Sequence, residues 1–335
     1  MKILIVGVGA IGTMIGVKLS LAGEDVAFYD KYVKFSGLDL MCDGKHNHLE
    51  PVKCIPSLSY CREHFDLVIL CIKSHGNEDF VQMPKAITFQ TLLTIQNGLG
   101  NEEYLSKHFD RVVSGTLTLP VAKTEDYVSI TNNKGGFGFA SVSQSCVAVA
   151  EVFSKAGFKV RTYSDYRAMK WSKLLLNIMG NAMSAITSMP MSDIFNDRKL
   201  TFIEKSAVVE ALRVMGKSGV KVVDLPSYPV KLISSFFRFA PPTLIEIAVT
   251  KSSKNMSRGD KMPSLYIDVA SGSKVTEIEV MNGAIWKRAQ ELGIEAPANK
   301  FLYDTMRAIT SGDIDSSRYQ NNPQAVWDDF KGNSD

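Results

Sequence analysis

The chain of 335 residues is short of the residues that build disulfide frameworks and metal sites. Its five cysteines, Cys42, Cys54, Cys61, Cys71 and Cys146, are odd in number and form no C-x-x-C pair, so they read as reduced thiols. The five histidines, His46, His48, His64, His75 and His108, all fall in the first third, and beyond Cys146 neither residue type occurs. An acid or base supplied by the second half must therefore be Lys, Tyr, Asp or Glu, and a Cys/His metal site there is excluded. In the first half Cys61 and His64 have no second pair at ligand spacing, so no metal is expected.

Strong charge of one sign is also missing. A formal net charge of +3, with Lys and Arg scattered along the chain, provides no electrostatic footprint for nucleic acid. No apolar run approaches the roughly 20 residues of a membrane helix. Met1-Lys2 leads straight into a strand pattern rather than a signal peptide, so the expectation is a cytoplasmic protein with neither membrane nor nucleic-acid partners. What is present is ordinary globular composition, 45% hydrophobic and 22% charged, in a chain long enough for two domains.

Over residues 1–165 short apolar runs alternate with helical patterns, the signature of a parallel sheet covered by helices. A strand at 2–6, a helix at 10–22 stopped by Gly23 and a strand at 25–29 form a βαβ unit. The runs 66–73 and 91–96 are nearly continuously apolar, as expected of strands buried on both faces. Further strands are expected near 112–119, 128–131 and 158–163, with a helix over 143–156. Beyond 165 the pattern turns helical: one long helix to about Ser188 ended by Pro190, another over 199–218, and another over 276–292 before Gly293. A polar, charged loop is expected at 252–263. The fold class is α/β: an N-terminal Rossmann-type doubly wound sheet over 1–165 and a mostly α-helical C-terminal domain over 166–335.

Gly7-Val8-Gly9-Ala10-Ile11-Gly12 matches G-x-G-x-x-G where its chemistry needs it, after a strand and at a helix start. Gly7 permits the tight turn, Gly9 lets the backbone approach a pyrophosphate, and Gly12 allows the helix to pack closely on the strand. The helix N-terminus adds unpaired N–H groups and partial positive charge. Asp30, eighteen residues past Gly12, can accept hydrogen bonds from a ribose 2′-hydroxyl and would repel a 2′-phosphate, which favours NAD(H). Lys31 reads either as a partner for a 2′-phosphate or as a solvated loop charge. Asn97-Gly98-Leu99-Gly100 follows a buried strand, where loops line the ligand crevice of doubly wound sheets; an ordinary turn is the alternative. Lys73 ends the preceding buried strand, either in the same crevice or as a charged strand cap.

In the second half, Lys173, Asn177 and Asn181 recur every four residues within an otherwise apolar stretch at 171–185. On one helix they form a slowly drifting polar stripe. That stripe is either a solvent face or an internal polar site, since polar groups buried without partners are costly.

Together these segments resemble the ketopantoate reductases, or 2-dehydropantoate 2-reductases, over nearly the whole chain. The resemblance rests on the glycine loop, the Cys71-Ile72-Lys73 strand end, Gln96-Asn97-Gly98-Leu99-Gly100 and W-x-K-L-x-x-N-x-x-x-N at 171–181. Pro263-Ser264-Leu265-Tyr266-Ile267-Asp268 is similar to the family's P-S-M-L-Q-D, and Thr276-Glu277-Ile278-Glu279 with Asn282-Gly283 to T-E-I-D-x-x-N-G. Leu292-Gly293-Ile294 and Pro297-Ala298-Asn299 complete it. The resemblance implies reduction of ketopantoate, or a close 2-oxo acid, to the 2-hydroxy acid in pantothenate biosynthesis. It implies Lys173 as general acid, Glu277 hydrogen-bonded to the reacting oxygen, Asn177 and Asn181 beside the substrate, Ser264 near its carboxylate, and Asp268 in the same substrate set. Cofactor contacts fall to Gly7, Val8, Gly9, Ala10, Ile11, Gly12, Asp30, Lys31, Lys73, Asn97 and Gly98.

An ammonium suits this reaction, because hydride arriving at a ketone carbon leaves negative charge on oxygen. The resemblance implies NADP(H), while Asp30-Lys31, where the family carries a small or apolar residue and then Arg, leaves NAD(H) open. Leu265-Tyr266-Ile267 and one extra residue between Asp268 and Glu277 also depart from the family pattern. A homodimer is compatible with the resemblance. The competing readings are a dehydrogenase acting on another hydroxy acid, opine or imine, and a non-catalytic NAD(P)H-sensing protein.

Overall fold

A computed structural model describes residues 1–33, 35–255 and 262–332. The chain divides into two compact units, Met1–Lys170 with Asp224–Tyr228, and Trp171–Val223 with Pro229–Asp335.

In the first unit β1 (Lys2–Val6), α1 (Ala10–Leu21) and β2 (Asp25–Tyr29) form the expected βαβ unit. There follow β3 (Leu38–Cys42), β4 (Lys45–Leu49), β5 (Lys53–Cys54), β6 (His64–Leu70), α2 (Asn77–Gln82), β7 (Thr88–Thr94), α3 (Asn101–Leu105) and β8 (Val112–Leu117). The unit continues with β9 (Val121–Lys123), β10 (Val128–Ile130), β11 (Phe137–Ser141), α4 (Val147–Lys155), β12 (Val160–Tyr163) and the start of α5 (Tyr166–Ile178).

Eight strands form one sheet in the order β12-β11-β8-β7-β6-β1-β2-β5, parallel except where β11 meets β8. Strand alternation buries both faces of β1: Ile3 and Ile5 enter one core and Leu4 and Val6 the other. Strand order reverses at β1, flanked by β2 and β6, so the carboxyl ends of these strands border the crevice where doubly wound sheets take ligands.

The strand expected near 128–131 forms as β10 but joins a separate sheet of order β4-β3-β10-β9, whose β3, β4 and β9 the sequence pattern does not reveal. Leu38, Leu40 and Val128 share a core with Met14 and Ile15, so this sheet covers α1 on the side away from the main sheet. Such short strands need that tertiary cover, because their own periodicity is weak.

Among the described residues the second unit is helical: α6 (Asn181–Thr187), α7 (Met191–Asn196), α8 (Arg198–Lys217), α9 (Val230–Phe239), α10 (Pro242–Asn255), α11 (Ser264–Ala270), α12 (Asn282–Glu291), α13 (Pro297–Ser311) and α14 (Pro323–Gly332). Two expected helices are split. The long helix ending near Ser188 breaks after Ile178, because Gly180 adopts a left-handed φ of 73°. The helix over 276–292 is a 3₁₀ turn, Glu277–Val280, and then α12, separated at Met281 by backbone of φ −106° and ψ −104°. The polar stretch 252–263 also departs from its expected loop: it starts inside α10, and 256–261 lies outside the described residues.

Helix ends here are capped both locally and from another helix. Asp197 accepts the Lys199 and Leu200 N–H groups at 2.8 and 3.0 Å to start α8, and Glu210 of α8 accepts the Ala298 and Asn299 N–H groups at the start of α13, both at 2.9 Å. No helix among the described residues is long and apolar enough to cross a membrane.

Candidate functional site

The glycine loop connects β1 to α1 with Gly7 at φ +95°. A Cβ on Gly7 would stand 2.9 Å from Ile72, and one on Gly12 would stand 1.9 Å from the Gly7 carbonyl oxygen. Packing therefore demands both glycines. Gly9 differs: its φ is −79° and a Cβ there would meet nothing within 4 Å. Neither packing nor backbone conformation requires a glycine at that point. Gly9 is also the N-cap of α1, with no side-chain cap and no acid in the first turn. The helix amides and the open approach suit a pyrophosphate.

Asp30, at the end of β2, accepts the Val8 N–H at 2.7 Å through one carboxylate oxygen and the Tyr32 and Val33 N–H groups at 2.9 and 3.0 Å through the other. It thus fixes the glycine loop against β2. Lys31 is exposed and pairs with Asp79 of α2 at 2.8 Å. That pair holds Lys31 cationic and the Asp79 carboxyl below its ordinary range. Lys73 is the extended residue before the 3₁₀ turn Ser74–Gly76, beyond the end of β6. Asn97 and Gly98 follow β7, and the Ser74 hydroxyl donates to the Asn97 carbonyl at 3.2 Å, tying the two loops together.

In the second unit Lys173 and Asn177 lie one turn apart on α5, both half-buried. Asn181 does not continue their stripe but opens α6 after the break. Its amide oxygen accepts the Leu265 N–H at 3.1 Å, and its amide nitrogen reaches the Ser264 hydroxyl at 3.5 Å and the Met281 sulfur at 3.8 Å. Asn181 thereby gathers three segments: α6, the start of α11 and the end of the Glu277–Val280 turn. Asp268 is buried one turn along α11 from exposed Ser264. Glu277 is buried at the first position of its turn, where the Thr276 hydroxyl caps the Ile278 N–H.

The sequence pattern of ketopantoate reductase PanE/ApbA matches residues 3–144, and that of the ketopantoate reductase PanE/ApbA C-terminal domain matches 165–310. The chain belongs to the ketopantoate reductase family. A 2-dehydropantoate 2-reductase of Archaeoglobus fulgidus is 25% identical over 318 residues, covering 93% of this chain and 98% of that protein. The solved PanE/ApbA-family ketopantoate reductase of Ralstonia eutropha is 25% identical, with a TM-score of 0.76 over 93% of this chain and 99% of its own. A D-mandelate dehydrogenase solved with NADH and anilino(oxo)acetate shares the fold at 20% identity, with a TM-score of 0.75 over 93% and 99% of the two chains. The first ketopantoate reductase match contains the glycine loop, Asp30, Lys31, Lys73, Asn97 and Gly98; the second contains Lys173, Asn177, Asn181, Ser264, Asp268 and Glu277.

Sequence reasoning missed Glu204. It is fully buried on α8, and its carboxylate accepts the Gly180 N–H at 2.7 Å, at the break that starts α6 and so fixes where Asn181 begins. Its other oxygen is buried with no hydrogen-bond partner among the described residues. Burial pushes this carboxyl up to about 8, opposed only by the Gly180 N–H. The signal was present in the sequence: Glu204 falls at i+4 from Leu200 and i−4 from Val208, inside the apolar stripe of α8.

Two predictions follow from these contacts. Gly12→Ala should prevent stable folding of the first unit. Gly9→Ala should leave the melting temperature within a few degrees of the native chain yet weaken binding of a reduced nicotinamide dinucleotide by at least about tenfold, about 1.4 kcal/mol, in a fluorescence titration with NADH and NADPH in parallel; unweakened binding of both would speak against a pyrophosphate at this loop.

The second concerns Glu204. Between the ordinary carboxyl value of 4.5 and about 8, the folded chain keeps a proton that the unfolded chain releases, so this group lowers stability as pH rises through that window. Glu204→Gln should gain stability over the native chain from pH 5 to pH 8, by a few kcal/mol at the upper end. Denaturant melts at both pH values measure the difference, and equal slopes with pH would contradict it.

Proposed function

We propose that the chain reduces 2-dehydropantoate, or a closely related 2-oxo acid, to the 2-hydroxy acid with a reduced nicotinamide dinucleotide. The observation that carries the proposal is the convergence on Asn181 of Ser264, Leu265 and Met281, in a chain whose two halves both match ketopantoate reductase patterns. The fit of the nucleotide is supported by Gly9, whose missing side chain nothing in the protein fills.

The bound nucleotide supplies hydride to the ketone carbon of the oxo acid. Negative charge then grows on the carbonyl oxygen, where the Lys173 ammonium stabilises it and donates the proton that completes the hydroxyl. Glu277 accepts a hydrogen bond from that hydroxyl. Asn177 and Asn181 hydrogen-bond the substrate, and Ser264 donates to its carboxylate. Asp268, one turn along α11 from Ser264, belongs to the same substrate set. Residues 7–12 hold the pyrophosphate, while Lys73, Asn97 and Gly98 serve the nicotinamide half.

Asp30 supports NADH as the preferred reductant. A 2′-phosphate would meet its carboxylate, and the adjacent cation Lys31 is engaged by Asp79.

Nicotinamide absorbance followed with 2-dehydropantoate tests the proposal, using NADH and NADPH in parallel. Lys173→Ala should lower kcat by about a hundredfold or more while NADH still binds; unchanged turnover would defeat the assignment. NADH should give the higher kcat/KM. Asp30→Asn, which keeps an oxygen for the Val8 N–H, should shift the NADPH-to-NADH ratio of kcat/KM upward by about tenfold, or 1.4 kcal/mol.

A further inference from the structure

Beneath the 96–98 loop lies a buried charged pair to which the reaction assigns no part. Lys170, the fifth residue of α5, is 3% exposed, and Glu102 of α3 is 1% exposed. The ammonium stands 3.1 Å from a Glu102 oxygen and donates to the Gln96 carbonyl at 2.5 Å. The same Glu102 oxygen accepts the Ser114 hydroxyl of β8 at 2.7 Å.

From Gln96 the network spreads sideways. Its amide oxygen accepts the Thr94 hydroxyl at 2.9 Å, and its amide nitrogen donates to Asn77 at 2.8 Å. Asn77 donates to Asn101 at 2.8 Å, and Asn101 returns to the Asn97 carbonyl at 2.9 Å. The carbonyls of Gln96 and Asn97 are therefore both held from below.

A buried ion pair is a poor means of adding stability, since apolar residues of equal volume generally serve as well. What this pair supplies is direction. The loop above it contains two glycines in left-handed backbone, Gly98 at φ +79° and Gly100 at φ +89°, and glycine by itself constrains the chain least. The peptide unit is planar, so fixing the Gln96 carbonyl fixes the Asn97 N–H on the opposite side.

Strand order identifies which half of the nucleotide this loop serves. Asp30 at the end of β2 marks the adenosine side and the glycine loop after β1 the pyrophosphate, so β6 and β7, on the other side of β1, fall to the nicotinamide half.

We propose that the Lys170–Glu102 pair is a positioning device for the 96–98 loop, holding the Gln96–Asn97 peptide in the orientation that receives the nicotinamide half of the nucleotide. The inference rests on the dinucleotide reading of the crevice and is independent of which oxo acid is reduced.

The test is the double variant Lys170→Met with Glu102→Leu, which removes both charges at similar volume, titrated with NADH and with ADP-ribose, which lacks the nicotinamide. The expected result is a melting temperature within a few degrees of the native chain, an ADP-ribose Kd within about twofold, an NADH Kd weakened by about tenfold and a lowered kcat. Unchanged NADH affinity and kcat, or equal weakening of both ligands, would overturn the proposal. Should the double variant not fold, Glu102→Gln keeps an oxygen for Ser114 and Lys170 without the charge. That variant should weaken NADH but not ADP-ribose by about threefold, and no selective loss there counts against the pair. A native chain that binds NADH without reducing 2-dehydropantoate removes the substrate assignment and leaves this inference standing; one that binds no NADH removes both.

Discussion

The approach of α1 to the end of β1 is the constraint from which the first unit follows. With only hydrogen at Gly12, the helix can begin against the Gly7 carbonyl, and at Gly16 it passes so close to Phe28 of β2 that a Cβ would lie 2.1 Å from the ring. The helix therefore lies directly on the sheet, its first amides directed at the crevice where strand order reverses. Asp30 then fastens the loop to β2 through the Val8 N–H. Because the second, smaller sheet covers the other side of α1, the helix is buried from Gly12 to Val17 without interruption. Its sequence accordingly lacks the polar stripe of a surface helix.

In both units, buried ionisable side chains are used on backbone. Glu210 holds the first amides of α13, Glu204 holds the Gly180 amide at the helix break, and Lys170 with Glu102 holds the Gln96 carbonyl. Helix ends and breaks leave backbone groups without internal partners, and burial denies them water, so a side chain must reach them. A short residue can cap only its own helix; a glutamate or lysine can reach from another element. Such contacts fix irregular backbone at the places where candidate site residues stand, Asn181 after the break and Asn97 above the ion pair.

Legibility in the sequence followed the range of the interactions. The βαβ unit, the glycine loop and the buried strands β6 and β7 could be read because each is declared by neighbouring residues through apolar period and turn chemistry. Lys31 was legible as a loop charge, but its pairing with Asp79, 48 residues away, was not. The stripe of Lys173, Asn177 and Asn181 reads as a single helix because four-residue spacing is all that a sequence displays. Gly180 at φ 73° ends it, and a single glycine in a helical pattern does not declare the conformation it will take.

The sequence by itself determined that a glycine loop stands between a strand and a helix, and that acids and bases of the second half come only from Lys, Tyr, Asp and Glu. It also determined the family, since motifs in that order cover both halves of the chain. Tertiary structure alone decided that the space beside the Gly9 Cα is open, that Asn181 meets Ser264 across 83 residues of chain, and that Lys170 and Glu102 are buried together. The physical reason is distance along the chain: period and turn chemistry act over a few residues. The space around a Cβ, or the partner of a buried charge, is set by segments that only folding brings together.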